Sequence, residues 1–150
     1  MFNSNLLVAA FPELIYFTSV ESLSRITFSY STFVYLWFPY TKTIGSGSAA
    51  NYCPFDRCKK NIALRFDAAT TFNAVNYDAS TQYIVLTMKS IPTSTSRFVQ
   101  GKIYVPDELV DGYQVETNWS SRTILPLSQL PTDYPDCPWL QDLREKGLIP

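Results

Sequence analysis

Short runs of alternating apolar residues recur along this chain, and that recurrence restricts its fold more than any other feature. The runs are FVYLWFP at 33–39, NIALRFD at 61–67, YIVLTMK at 83–89 and KIYVP at 102–106, with starts roughly 20 to 28 residues apart. LIYF at 14–17 precedes the first by a similar interval. Period-two alternation is the pattern of a strand with one face buried. It places Val34, Leu36, Phe38, Ile62, Leu64, Phe66, Ile84, Leu86, Met88, Ile103 and Val105 inward. No long 3.6-residue periodicity separates the runs, so turns, short second strands or 3₁₀ pieces are expected between them. One strand with its turn cannot bury its apolar face, whereas stacked copies form a continuous core. The expectation is a mainly β solenoid of about five irregular rungs.

Composition narrows the function. The 150 residues suit one domain, or one end of a larger assembly. A net charge of −1 gives no electrostatic footprint for nucleic acid. The chain has no histidine, no nucleophile elbow and no phosphate loop, so neither catalysis nor a cofactor is expected. Cys53 and Cys58 are a poor metal signal, since zinc takes about four ligands and no second pair lies nearby. They are expected either as buried thiols or as one local disulfide, and the odd count with Cys137 leaves at least one free. The longest apolar run, 33–39, falls far short of the roughly 20 residues of a membrane span. No basic residue precedes the apolar stretch at 6–11 and Pro12-Glu13 follows it, so no secretory signal is recognised.

An open stack of strands needs a closed end. KIYVPDELVDGYQVETNWSSRTILPLS at 102–128 reads as that cap. Pro106 presets the first helical turn, and Asp107 and Glu108 put negative charge at the helix N-terminus. Leu109, Val110 and Tyr113 share one face of a short amphipathic helix that depends on docking, because Gly112 weakens it. Trp119 is expected to seal the last rung, with Ile124 and Leu127 continuing the cover. Residues 131–150 read as a proline-broken linker and a short helix over 139–146 that stops at Gly147. Its apolar residues Trp139, Leu140 and Leu143 are expected to dock on the domain or, slightly favoured, on a partner.

The same alternation points Tyr35, Trp37, Arg65, Val85, Thr87, Lys102 and Tyr104 outward. An aromatic stripe of this kind is either a binding face for glycan or protein, or a ladder of cross-strand packing partners. Tyr35, Trp37, Arg65, Thr87, Lys102 and Tyr104 are the candidate binding residues, and Pro106, Asp107, Tyr113 and Trp119 the cap residues.

The segment from Tyr104 to Ser128 resembles the terminal segment of BspA-like leucine-rich repeat proteins. The matching residues are Tyr104, Val105, Pro106, Asp107, Val110, Tyr113, Asn118, Trp119, Ser120, Ile124, Pro126, Leu127 and Ser128. PELIYFTSVESL at 12–23, TKTIGSG at 41–47 and Cys58 ahead of its strand resemble inter-rung phrases of that family. The resemblance covers most of 11–130, is specific in the cap and loose in the rungs, and finds no counterpart for 132–150. It implies a leucine-rich-repeat-type solenoid over 1–130 with a short C-terminal capping helix. In that family Asn118-Trp119-Ser120 belongs to the cap, which makes its other meaning, a glycosylation sequon, the weaker one.

The function expected is a non-catalytic module for surface attachment or recognition, or for virion (phage tail-type) structure. Two alternatives stand beside it: a bacterial cell-surface adhesin fragment, and a purely structural subunit whose open N-terminal rung stacks on a partner chain. The expected partners are a protein or glycan surface, or other subunits of an assembly, with no nucleic acid and no membrane span. The expected place is a virion or a bacterial cell surface. An enzyme on the same scaffold would need paired inward carboxylates, which the alternation does not supply.

Overall fold

The alternating runs become neighbouring strands. The computed structural model describes residues 6–8, 14–17, 20–23, 35–45, 55, 62–73, 81–94 and 101–150. Its strands are β1 (Leu6–Val8), β2 (Leu14–Phe17), β3 (Ser22–Leu23), β4 (Tyr35–Phe38), β5 (Thr43–Ile44) and β6 (Ile62–Phe66). β7 (Thr71–Phe72), β8 (Thr81–Leu86), β9 (Thr93–Ser94), β10 (Lys102–Val105) and β11 (Thr123–Pro126) follow. Seven form one sheet in the order β1-β2-β4-β6-β8-β10-β11, and four form a shorter sheet in the order β3-β5-β7-β9. Every pairing is parallel except that of β1 with β2. The chain thus alternates between a long and a short strand as it coils, and makes about three turns from β2 to β8.

Register turns the repeat into a core. Leu36 pairs with Leu64, Leu64 with Ile84, Ile84 with Ile103 and Ile103 with Ile124. Phe38 pairs with Phe66 and Phe66 with Leu86. Strands lie about 4.7–4.9 Å apart, so like rings in one column stack: Phe17 on Phe38 at 4.6 Å, Phe38 on Phe66 at 5.1 Å. Ile44 and Phe72 of the short sheet, with Phe55, close the other side of this core. Leu36, Phe38, Leu64, Phe66, Ile84, Leu86, Met88, Ile103 and Val105 are buried in it, as the alternation requires. The expectations for Val34, Cys53, Cys58 and the Ile62 side chain lie outside the described residues.

The cap forms where the sequence puts it. A 3₁₀ turn over Asp107–Leu109 leads into α1 (Val110–Val115), with Asp107 and Glu108 in its first turn. Tyr113 and Trp119 are fully buried against the end of the core, their rings edge to face at 4.9 Å, and Trp119 also meets Phe72 edge-on at 5.8 Å. Trp119 Nε1 donates to the Pro92 carbonyl at 3.0 Å, and Asn118 Nδ2 donates to the Ser94 carbonyl at 2.6 Å. Together they satisfy acceptors at the last strand of the short sheet. In the long sheet β11 covers β10, and Pro126 ends it without a backbone donor. Asp107 Oδ1 accepts from the Ser128 amide at 3.0 Å, which ties the start of the cap to its exit. Gly112 has a packing reason: a Cβ there would stand 2.9 Å from Ile91 Cδ1.

The last stretch departs from expectation. After a 3₁₀ turn over Leu127–Gln129 come α2 (Leu130–Asp133) and α3 (Leu140–Glu145). α3 lies inside the expected 139–146 and stops as expected, Gly147 taking φ +68. The Gly147 and Leu148 amides donate to the Arg144 and Leu143 carbonyls, each at 2.9 Å, which is the Schellman closure. The residues before α3 are not a free linker. Leu130, Cys137 and Trp139 are buried against the long sheet.

Candidate functional site

The outward residues stand in two columns of the long sheet. Tyr35, Ala63, Tyr83 and Lys102 form one, and Trp37, Arg65, Val85 and Tyr104 the other. Thr87 follows directly on β8. The structure therefore brings all six candidate binding residues to one face, but that face is not open. Leu127, Leu130, Trp139, Leu140, Leu143 and Ile149 lie over Ala63, Tyr83, Val85 and Tyr104 as a second core. Of the six candidates, Arg65 and Tyr104 are buried, Tyr104 under the chain's own C-terminal segment, whereas Tyr35, Trp37, Thr87 and Lys102 are half-buried. Both faces of a parallel sheet are ordinarily covered, and in this chain residues 127–150 cover the second.

Aromatic contacts set the segment's position. Tyr35 meets Trp139 edge-on at 5.9 Å, and Tyr83 stacks on Tyr134 at 4.0 Å. Two charged clusters then pin it. In the first, Asp67, at the end of β6, accepts from Trp37 Nε1 at 2.7 Å, Arg65 Nε at 2.8 Å, Arg65 Nη2 at 3.2 Å and Thr87 Oγ1 at 2.7 Å. The Arg65 guanidinium lies 4.0 Å above the Trp37 ring and pairs with Asp142 of α3 at 2.5 Å. Lys146 pairs with Asp142 at 3.1 Å and hangs over the Trp37 ring. Two cations and two carboxylates thus balance, with Arg65 completely buried.

In the second cluster Asp133 of α2 takes the Lys102 ammonium at 3.0 Å and the Tyr104 hydroxyl in a short hydrogen bond. These bonds, from Tyr104 first and Lys102 second, hold the Asp133 carboxyl below the usual carboxylate range. The bond to Asp133 raises Lys102. Burial, helped by Asp133, raises the Tyr104 phenol. Burial likewise raises Tyr83 and the Cys137 thiol, which lie against each other. Each of these shifts holds its group in its ordinary neutral-pH state and leaves none of them poised as a base or nucleophile near pH 7.

The seam between sheet and segment is imperfect. Among the described residues, Arg65 Nη1 and Trp139 Nε1 are buried donors without a hydrogen-bond partner. Each such donor weakens the seam relative to its apolar area. Ordering a segment of this length also opposes the gain from burying it, so its docking is a small difference between large opposing contributions.

Asp67, Asp133, Asp142 and Lys146 were not picked out as site residues from the sequence. Asp67 carried a signal, since it stands two positions after Arg65 and so on the same face. Asp142 and Lys146 carried another, the i, i+4 spacing of a helical ion pair. Among the described residues no cluster of three or more His, Cys, Asp or Glu side chains can hold a metal ion, and no helix is long and apolar enough to cross a membrane. Comparison with protein-family models, curated proteins and solved structures finds no match for this chain.

Proposed function

We propose that the chain is a non-catalytic repeat module of BspA-like type that serves in surface attachment or virion (phage tail-type) structure. Within that reading a structural subunit is favoured over a receptor for free ligand. The observation that supports this is the occupied outward face: of the candidate binding residues, Arg65 and Tyr104 are fully buried, with the chain's own C-terminal segment over that face. A virion or a bacterial cell surface remains the proposed place, on the resemblance of residues 104–128 to that family's cap.

The adhesin reading draws support from one surface. Tyr40 is 55% exposed beside the half-buried Tyr16, whose ring lies 4.6 Å from that of Trp37. Size-exclusion chromatography with light scattering, run alongside a glycan array, separates the two. A stable oligomer with a blank array supports the structural subunit, and a monomer with a clear glycan signal overturns it.

A further inference from the structure

We infer that residues 127–150 form an exchangeable strap, and that the partner fitted to the outward face is the same segment of a second copy of this chain. The inference deepens the structural-subunit reading and rests on it.

Three observations carry it. The face recognises the strap by specific chemistry and not by apolar area alone: Arg65 takes Asp142, and Lys102 and Tyr104 take Asp133, at two separate points of the face. The strap has local order of its own, since α3 closes with its own Schellman bonds and Gln141 bonds Glu145 one turn on. Two of the buried side-chain atoms without a hydrogen-bond partner among the described residues, Arg65 Nη1 and Trp139 Nε1, lie in the strap seam. A seam with specific anchors, an internally ordered strap and unsatisfied polar atoms has the character of an interface between separable parts. Exchange of an identical element gives a second copy every contact that the first makes, so it requires no new surface. The exchange opens the chain at Leu127 and requires the Ser128 amide to leave Asp107 Oδ1, its acceptor at 3.0 Å in the closed form.

The probe is a fluorescein-labelled synthetic peptide of residues 127–150, added to the full-length chain. Leu143→Ala in the full-length chain weakens its own strap, and it should capture the peptide about ten-fold more tightly than the unmodified chain does. Capture should fall about as far when Arg65→Ala is added. Far-UV circular dichroism and a thermal melt, recorded before the peptide is added, report whether the solenoid remains folded. If Leu143→Ala unfolds it, Asp142→Asn serves under the same criteria. In parallel, the unmodified chain refolded at high concentration should give a dimer by light scattering, and at low concentration a monomer. A folded variant that captures no peptide, or captures it regardless of Arg65, overturns the strap as a recognised element. Capture with only monomer at every refolding concentration overturns the exchange. Neither failure touches the broader reading of a non-catalytic module, which the glycan array and the native oligomeric state test separately.

Discussion

Arg65 on β6 and Asp142 on α3 form an ion pair at 2.5 Å across the seam between the sheet and the C-terminal segment. Arg65 is fully buried, and Asp142 and Asp67 share its charge. Removing one partner of a buried ion pair leaves the other charge short of compensation, which destabilises the fold. Asp142→Ala leaves Asp67 alone with the guanidinium and should lower stability by about 1–3 kcal/mol. The exposed Glu145→Ala should stay within about 0.5 kcal/mol of the unmodified chain. Urea unfolding compares the two, and equal midpoints would show that the pair does not anchor the segment.

Trp119 is the strongest single test of the cap. Trp119→Ala removes a fully buried indole between Tyr113 and Phe72, at a cost of about 3–5 kcal/mol. For a domain of this size that lowers the melting temperature by roughly 10 °C. Trp119→Phe keeps a ring but leaves the Pro92 carbonyl without the indole donor, and should cost about 1–3 kcal/mol. A thermal melt unchanged by Trp119→Ala would sink the cap reading.

The Asp133 cluster gives the segment a pH window. Asp133 is held below its unfolded value near 3.9, so its contribution is present above about pH 4–5 and lost as pH falls through the lowered pKa. Lys102 is held above its unfolded value near 10.4, so its contribution is present below about pH 10 and lost as pH rises through the raised pKa. Hydrogen exchange in residues 130–150 should therefore be slowest relative to its intrinsic rate between those limits. Asp133→Asn should remove its share of the acid limb; an acid limb of unchanged depth would place that titration elsewhere.

Gly112 and Ile91 should be coupled. Alanine is a better helix former than glycine by about 1 kcal/mol, but its Cβ would crowd Ile91 Cδ1. Ile91→Val removes that methyl. Gly112→Ala should stabilise the Ile91→Val background by about 0.5–1 kcal/mol and the unmodified chain by less. Equal effects in both backgrounds would show that Ile91 moves freely aside.

Strand positions and the inner core were legible because Leu36, Phe38, Leu64, Phe66, Ile84 and Leu86 keep strict period two at rung spacing. The cap was legible because Pro106, Tyr113 and Trp119 are side chains with few alternative uses at those positions. The second core was not. Its sheet side is built from Tyr83, Tyr104 and Arg65, whose polar tips read as solvent-facing although their bodies are buried. Its other side comes from Trp139, Leu140 and Leu143, whose spacing announces an apolar helix face but not what that face covers. The proline-broken 131–138 looked like a linker because local signals carry no information about a docking surface contributed by β4 to β10.

The second core also fixes where force enters. The segment ends at Pro150 and lies over strands from β4 to β10, so a pull on the C-terminus reaches it before any strand pair of the sheet. It would peel from α3 backwards, breaking the Asp142 and Asp133 anchors one after the other while the stacked Phe rings stay in place. A tether on this side thus has a sacrificial link, and extension beyond it begins only when β11 is drawn off β10.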